Sequence, residues 1–244
     1  MSAPSSLLLR RGRYGFDAPP ALFGVLMGAV PPLIIGAIFA GQWWGKLLFA
    51  IGLFNAVSAA LFVHATRLGK FKVWAEELEA LGLKGDERIA DLGCGRGAVL
   101  TMAAKLVPNG RVVGVDLWRS VDQSGNQESV TRANAEAEGV ADRVELVTAD
   151  LRELPFEDAQ FDVVLSSLAI HNIKGDNERA KVIREVDRVC RAKGRILIVD
   201  ISRGAEYADL LRRRGYAVEQ RPVGWRMWFG GPWVSASVVS ATKP

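Results

Sequence analysis

The feature that most constrains the fold of this chain is a glycine-rich stretch, Ile89-Ala-Asp-Leu-Gly-Cys-Gly-Arg-Gly-Ala98. Ile89–Leu92 has the apolar composition of a short buried strand, and Ala98–Val107 has the composition of a helix. The glycines between them permit a tight turn, because a residue without a Cβ tolerates positive φ and lets a ligand approach the backbone. The sequence therefore predicts a strand–turn–helix unit whose helix N-terminus faces an anionic or polar ligand group.

A second apolar run, Arg111–Val115, predicts the next strand, and Asp116 ends it. In dinucleotide-type folds, an acidic side chain at the tip of the second strand, about 20 residues past the glycines, accepts hydrogen bonds from both ribose hydroxyls. The sequence therefore predicts a site for a cofactor that contains adenosine. A dinucleotide-binding loop has the spacing G-x-G-x-x-G, whereas this chain has G-x-G-x-G preceded by Asp91.

This spacing resembles motif I of the class I S-adenosylmethionine-dependent methyltransferases, whose signature is close to Asp-x-Gly-x-Gly-x-Gly. The resemblance extends over roughly residues 70 to 244, and Thr148-Ala-Asp150 resembles the end of the family's third strand, where an acid meets the adenine amine. Phe161–Ser166 resembles the fourth strand, and Ala192–Val199 resembles the turn and fifth strand. The resemblance implies an α/β fold: a doubly wound, seven-stranded, mostly parallel sheet of the Rossmann-like methyltransferase type.

The same resemblance implies that S-adenosyl-L-methionine is the cofactor. The predicted cofactor-binding residues are Asp91, Gly93, Cys94, Gly95, Gly97, Asp116, Leu117, Trp118, Asp150, Leu151 and Ser166. Trp118 belongs to an irregular stretch, Leu117–Asn126, that simpler members of the family lack. Its ring is expected either to flank the adenine or ribose, or to pack against the protein.

The end of the fourth strand, Ser166–Ile173, is where the family places substrate and catalytic groups. The tetrapeptide Asp/Asn-Pro-Pro-Tyr/Phe, which marks many members that methylate bases or amides, is absent there, so a small-molecule acceptor is expected. His171 is the candidate catalytic residue, because imidazole suits proton removal at neutral pH. The alternative, which the sequence favours, is that His171 caps the loop or contacts the backbone around the cofactor.

Two uncharged apolar runs, Ala21–Ala40 and Leu47–Val63, precede this domain. An apolar helix of about 20 residues spans roughly 30 Å of hydrocarbon, and the join between the runs, Gly41–Lys46, holds two tryptophans, which prefer the headgroup level. The pattern predicts a transmembrane hairpin with spans at about 21–40 and 47–65. Pro31-Pro32 should kink or break the first helix. A re-entrant hairpin that enters and leaves the membrane on one side therefore stays open. A soluble helical hairpin buried in the protein is the other alternative. A cleaved signal peptide is disfavoured by the long leader and the second span.

The basic residues orient the hairpin. Residues 1–72 hold seven of the 31 Lys/Arg residues and one of the 27 Asp/Glu residues. Most of the basic residues flank the spans, so the positive-inside rule places both termini and the catalytic domain in the cytoplasm of a multi-pass membrane protein. These flanking residues are Arg10, Arg11 and Arg13 before the first span, and Arg67, Lys70 and Lys72 after the second.

Several partners and sites are not expected. No basic patch with interleaved aromatic residues marks a nucleic-acid site. Cys94, Cys190, His64 and His171 do not have the spacing of a metal site or a disulfide framework. The expected partners are therefore a small lipophilic substrate and the lipid bilayer, while the oligomeric state stays open.

The chain is divided into residues 1–68 with the hairpin, a connector helix over 69–84, and a methyltransferase domain over 85–244. In the connector, Phe71, Trp74, Leu78 and Leu81 form one apolar face. That face either packs on the domain's edge or lies on the membrane. A further aromatic segment, Trp225–Trp233, must pack, meet lipid or line an apolar pocket.

The predicted elements after the second strand alternate between helices and strands, as in the family. The helices are predicted at 127–138, 176–191 (which includes Cys190) and 205–214, and the strands at 143–149, 161–166, 195–201, 216–222 and 234–241.

The sequence therefore predicts a membrane-anchored methyltransferase that transfers a methyl group to a small lipophilic acceptor by direct displacement. Two other classes remain. A sensor or scaffold that binds the cofactor without catalysis would keep the glycine loop. An NAD-dependent oxidoreductase would explain Asp116 but not the G-x-G-x-G spacing with Asp91.

Overall fold

A single seven-stranded sheet organises the computed structural model, which describes residues 6–119 and 123–244. The spatial order is β3-β2-β1-β4-β5-β7-β6, and β7 is antiparallel to both of its neighbours. The predicted doubly wound, mostly parallel sheet is therefore confirmed. The strands are β1 Arg88–Leu92, β2 Arg111–Asp116, β3 Val144–Thr148, β4 Phe161–Ser167, β5 Cys190–Ile201, β6 Ala217–Pro222 and β7 Ala236–Thr242.

Helices cover both faces of this sheet, which is why its central strands are continuous apolar runs. On one face, Trp74 and Leu100 belong to a core formed with α3 and α4, and on the other, Ile183 and Leu211 belong to a core formed with α6 and α7. The helices are α1 Pro19–Ile38, α2 Trp43–His64, α3 Lys70–Ala80, α4 Ala98–Leu106, α5 Glu128–Glu138, α6 Asp176–Val189 and α7 Gly204–Arg212.

The sheet reverses its winding at β1, which pairs with β2 on one side and with β4 on the other. In such sheets the crevice for ligands lies beyond the carboxyl ends of the strands at this switch point. The loop that follows β1, the tip of β2 and the end of β4 therefore meet at one edge of the sheet.

The helices α1 and α2 form an antiparallel hairpin of 20 and 22 residues, and by length and composition both are able to cross a membrane. The break predicted at Pro31-Pro32 is wrong, because α1 runs through both prolines. The two helices approach closely: a Cβ on Gly36 would lie 2.4 Å from Phe49 N, and one on Gly52 would lie 2.6 Å from Leu33 N. The tryptophans expected in the join lie instead in the first turn of α2.

The segment before the hairpin packs on the sheet domain. Leu7 and Tyr14 are buried in its core. The Tyr14 hydroxyl lies 2.8 Å from Thr101 Oγ1 and donates to Glu138 at 2.9 Å. Burial raises the pKa of Tyr14 above its usual range. Residues 6–17 thus belong structurally with the sheet, although they precede the first long apolar helix.

The predicted connector helix is α3, which follows α2 through one π-helical turn, Ala65–Gly69. Phe71 and Trp74 are buried in the domain core, so the alternative that lays them on a membrane is wrong and the helix packs on the domain. A Cβ on Gly69 would lie 1.6 Å from the carbonyl oxygen of Arg226. Only glycine allows the backbone of Arg226 to come this close. The π-helical turn ends at the residue that makes this contact.

One strand begins earlier than predicted. Cys190 starts β5 rather than lying in α6, and Gly194 lies inside the strand instead of ending a helix. The β4–β5 register shifts between Phe161 and Val163, so the strand absorbs an irregularity there without ending. Part of the irregular stretch predicted at 117–126, residues 120–122, lies outside the described residues.

Candidate functional site

A cavity of about 1240 Å³ lies between the carboxyl edge of the sheet and the base of the α1–α2 hairpin. We call its polar side the glycine-loop end and its apolar side the hairpin end. The glycine-loop end is lined by Asp91, Gly93, Cys94, Gly95, Asp116, Leu117, Asp150 and Leu151. The hairpin end is lined by Ala21, Val25, Phe54, Ser58, Phe62, Phe229 and Trp233.

The loop after β1 has a backbone that only glycine adopts readily. Gly93 and Gly95 have φ values of 75° and 51°, and a Cβ on Gly93 would lie 2.2 Å from the Cβ of Ala169. The N–H groups of Gly93 and Cys94 donate to the Val115 carbonyl at 2.7 and 3.1 Å, which fixes the loop against β2. The result is a rigid backbone cradle that is open to the cavity.

Asp116 stands at the tip of β2, beside this cradle. Its carboxylate accepts hydrogen bonds from the N–H of Gly95 at 2.8 Å, the N–H of Trp118 at 2.6 Å and the side-chain amide of Asn126 at 3.2 Å. These donors hold the carboxylate in place at the cavity wall, where it retains further lone pairs for a ligand.

Asp91 is fully buried, and neither of its carboxylate oxygens has a hydrogen-bond partner among the described residues. Burial, with a smaller contribution from the charge of Asp116, raises the pKa of Asp91 to about 7. An unpartnered buried carboxylate is costly. A cationic or hydrogen-bond-donating ligand group beside Asp91 would remove that cost.

Asp150 reaches the cavity from the end of β3. Its carboxylate forms an ion pair with Arg152 at 2.6 Å, and the hydrogen bonds from Arg152 hold the pKa of Asp150 below its usual range. Arg152 also bridges to Glu178 at 2.8 Å. Asp150 is therefore an anionic acceptor at the position where the resemblance places the adenine amine.

Three predicted cofactor residues do not line the cavity. The Trp118 indole N–H donates to Thr148 Oγ1 at 2.7 Å, and Ser166 is buried and donates to the Leu92 carbonyl at 2.9 Å. Gly97 lies beneath Thr131 at the start of α4. The neighbour of Ser166, Ser167, does line the cavity, and its hydroxyl accepts from the Trp74 indole at 2.9 Å.

His171 lines the cavity from the loop after β4. Its Nδ1 lies 2.5 Å from Asp200 Oδ1, and its backbone N–H donates to Asp200 Oδ2 at 3.0 Å. Asp200 is 1% exposed and also accepts from the Tyr207 hydroxyl at 3.3 Å and the Ile201 N–H at 2.8 Å. The carboxylate thus fixes both the loop and the ring, and Nε2 is the ring nitrogen left for a ligand.

Sequence reasoning missed Asp17, Lys70 and Gln123, which line the cavity, and Asp200, which holds the ring of His171. The available signal for Asp200 was a carboxylate inside an otherwise apolar strand, Arg195–Ile201. In the sequence, Lys70 stands out only as one of the basic residues that flank the second span. Nothing in the local sequence indicates that Asp17 and Lys70 meet.

The hairpin end of the cavity is aromatic. Trp233 stacks on Phe54 with ring centroids 5.7 Å apart, and Phe229 meets Phe62 edge-on at 5.4 Å. Trp225 stacks on His64 at 4.8 Å but does not line the cavity. The aromatic segment between β6 and β7 therefore closes the gap between the sheet domain and α2.

The residues present fit S-adenosyl-L-methionine. The cradle accepts a close backbone contact, Asp116 suits a ribose, and the unpartnered Asp91 suits a cationic group.

The described residues contain no cluster suited to a metal ion. Both cysteine thiols are buried, and burial raises the pKa of Cys94 well above its usual range and that of Cys190 to about 11.

Comparisons with known proteins agree with this arrangement. Residues 90–198 match a family described as "Methyltransferase domain". The chain is 31% identical over 137 residues to the ubiquinone/menaquinone biosynthesis C-methyltransferase UbiE of Proteus mirabilis, covering 55% of this chain and 51% of that protein. It is 30% identical over 129 residues to the sterol 4-C-methyltransferase strm-1 of Caenorhabditis elegans, covering 53% and 35%.

Among solved structures, geranyl diphosphate C-methyltransferase from Streptomyces coelicolor, determined with Mg²⁺, geranyl diphosphate and S-adenosyl-L-homocysteine, aligns with a TM-score of 0.55 at 14% identity. The alignment covers 71% of this chain and 77% of that one. At this identity the similarity shows the fold alone. The chain spans about half of the length of the UbiE protein that it matches.

Proposed function

We propose that this chain, a member of the class I S-adenosylmethionine-dependent methyltransferases, transfers a methyl group from S-adenosyl-L-methionine to a small lipophilic acceptor that it takes from a membrane. The observation that carries the proposal is the cavity, which joins the glycine-loop end to the hairpin end without interruption. A site for a polar cofactor and a site for an apolar acceptor thus share one space.

The hairpin end supports an apolar acceptor because its wall extends well along both apolar helices. Val25 lies six residues past the start of α1 and Phe54 ten residues before the end of α2. At about 1.5 Å per residue these positions are roughly 9 and 15 Å along the helices. We place this part of the cavity wall at the hydrocarbon of the bilayer.

Insertion of the hairpin explains its surface. Large apolar side chains on α1 and α2 are exposed, among them Phe23, Ile38 and Leu53. Exposed apolar surface of this extent on a soluble protein would favour aggregation. We place the helices across the bilayer, with the basic flanks and the sheet domain on the cytoplasmic side.

The relatives support a carbon acceptor. Two of the relatives, described above, carry C-methyltransferase names, one from quinone biosynthesis and one that names a sterol. We infer that this chain likewise methylates a carbon atom of an apolar acceptor.

The residues of the site divide the work. Asp116 holds the ribose, Asp150 the adenine amine and Asp91 the ammonium group of the cofactor. When bound, the cofactor supplies a methyl group on a positively charged sulfur, which keeps the electron pair of the broken bond. A carbon or oxygen acceptor that forms the new bond must lose a proton, and His171 Nε2 accepts it. Asp200 keeps the His171 proton on Nδ1 and stabilises the imidazolium that results.

The test uses the full-length protein in proteoliposomes prepared from lipids of the host. Labelled S-adenosyl-L-methionine is added, and the lipid extract is analysed by mass spectrometry for methylated species. We expect label in a small apolar compound with wild-type protein and at least about a hundredfold less with His171→Gln under the same conditions. Binding of S-adenosylhomocysteine without methylation of any fraction would instead indicate a sensor or scaffold.

A further inference from the structure

Two charged side chains, one before the hairpin in sequence and one after it, form an ion pair in the cavity wall. Asp17 lies just before α1, and Lys70 is the first residue of α3. Lys70 Nζ donates to both carboxylate oxygens of Asp17 at 2.8 Å, and the two side chains are 6% and 15% exposed. Both residues line the cavity, and both lie outside the matched family region, residues 90–198.

The partners of this ion pair are distributed unequally. Asp17 also accepts from the Thr66 hydroxyl at 2.6 Å and from the Gln123 side-chain amide at 3.2 Å. Within residues 6–119 and 123–244, the only hydrogen-bond acceptor of Lys70 Nζ is Asp17. Because an ammonium group has three N–H donors, Lys70 retains capacity to donate to an anion in the cavity.

A short chain of contacts connects Lys70 to the glycine loop. Gln123 Oε1 accepts from the Arg96 N–H at 2.9 Å and lies 2.5 Å from the position of a Cβ on Gly95. Its amide nitrogen donates to Asp17, which binds Lys70. Since Asp116 accepts from the N–H of the same Gly95, the ion pair and the ribose-binding carboxylate flank one loop.

We propose that Lys70 binds the α-carboxylate of S-adenosyl-L-methionine and that Asp17 positions Lys70 for this contact. The amino-acid end of the cofactor is a zwitterion, and the cavity offers a complementary pair. Both residues line the cavity: Asp91, which has no hydrogen-bond partner in the part of the chain that the structure describes, suits the ammonium, and the spare N–H of Lys70 suits the carboxylate. The inference rests on the proposed function, because it assigns residues to the cofactor of that reaction.

The assignment gives the two segments that flank the hairpin a role in cofactor binding. Asp17 and Lys70 are separated by the whole hairpin in sequence, and the contact between these segments brings them together. The flanking segments therefore complete a cofactor subsite that the matched family region, residues 90–198, does not contain.

The experiment compares two ligands that differ only in the amino-acid end. S-adenosylhomocysteine carries the carboxylate, whereas 5′-methylthioadenosine retains the adenosine and thioether without it. Binding to the full-length protein in detergent is measured by calorimetry for wild type, Lys70→Met and a Lys72→Met control, an exposed lysine on the same helix. We expect Lys70→Met to weaken S-adenosylhomocysteine about ten- to a hundredfold, as for a lost charge-assisted bond, with 5′-methylthioadenosine unchanged within twofold.

Lys70→Arg should restore part of the affinity, and Asp17→Asn should weaken S-adenosylhomocysteine less than Lys70→Met does. Equal weakening of both ligands would overturn the proposal, since Lys70 would then act through the fold. Unchanged binding of both ligands with a raised KM for the acceptor would also overturn it and assign Lys70 to the acceptor. Failure of the wild-type protein to bind either ligand would refute the proposed function itself.

Discussion

The two ends of the cavity are built by different means. The glycine-loop end consists of backbone in left-handed conformations and carboxylates held by hydrogen bonds. The hairpin end consists of aromatic rings, and one of them, Trp233, is 62% exposed. Hydrogen bonds fix a polar ligand by geometry, whereas apolar contacts depend on area and tolerate different shapes. The difference predicts strict recognition of the cofactor and looser recognition of the acceptor.

The largest expected effect lies where the two ends meet. His171→Gln and Asp200→Asn should each lower turnover about 10²- to 10⁴-fold, the range for loss of a general base. Binding of S-adenosylhomocysteine should stay within twofold, since neither residue belongs to the glycine-loop end. Single-turnover rates and calorimetry measure the two quantities.

Asp200 acts through His171, so its substitution needs a readout that simple destabilisation would not affect. In Asp200→Asn the rate should recover partly at high pH if the fault is the position of the ring proton, and Asp200→Glu should retain more activity than Asp200→Asn. A uniform loss at all pH values with a lowered melting temperature would contradict a positioning role.

Asp116→Ala tests the glycine-loop end. Loss of ribose hydrogen bonds to a charged acceptor, worth ~1.5–3 kcal/mol, should weaken S-adenosylhomocysteine at least tenfold. The KM for the acceptor should be unchanged, and the exposed Asp86→Ala serves as the matched control. Unchanged affinity of a folded Asp116→Ala protein for S-adenosylhomocysteine would show that the glycine-loop end does not bind the cofactor through Asp116.

Cofactor affinity should also depend on pH through Asp91. The pKa of Asp91 is about 7 without ligand, and a bound ammonium lowers it, so binding releases a proton below that pH. Affinity for S-adenosylhomocysteine should therefore rise about tenfold between roughly pH 6 and pH 8. Calorimetry in buffers of different ionisation enthalpy measures the proton release, and Asp91→Asn should abolish the dependence.

The smallest effect is expected at the hairpin end. Trp233→Ala removes a ring that lines the hairpin end, and loss of its contact with an apolar acceptor, worth ~0.5–1.5 kcal/mol, should raise the KM of a membrane-embedded acceptor about two- to tenfold. Trp225→Ala is the matched control, because Trp225 is similarly exposed but does not line the cavity. Equal effects of the two substitutions would assign the aromatic segment to docking on α2 rather than to the acceptor.

Sequence alone is enough to predict that the residues of the glycine-loop end lie together, because the features that position them are local. Gly93, Gly95 and Asp116 lie within one strand–turn–helix–strand unit, where spacing fixes geometry. The His171–Asp200 and Asp17–Lys70 pairs, 29 and 53 residues apart, exist only once tertiary structure brings their elements together. A spacing rule carries no information about such pairs.

The apolar segments show a different limit. An apolar face such as that of Phe71 and Trp74 has the same pattern whether it meets lipid or a protein core, and packing on the sheet decided the outcome. Pro31-Pro32 shows the same limit, because proline disfavours the interior of a helix and α1 nevertheless runs through both residues. Intrinsic propensity gives the free-energy cost of placing such a residue in a helix. Tertiary contacts determine whether the helix forms despite that cost.

The contact between Asp17 and Thr66, with the Asp17 N–H 3.0 Å from the Thr66 hydroxyl oxygen, has a practical consequence. The polypeptide leaves the sheet domain and re-enters it at nearly the same point. Residues 19–64 are therefore an insertion that could be deleted without breaking the path of the chain through the sheet domain. A few glycines joining Ala18 to Ala65 would close the gap, whereas truncation at residue 69 would also remove Tyr14 from the core. Such an excised protein would provide a water-soluble form for crystallography, and the excised helices could be transplanted as a portable membrane tether.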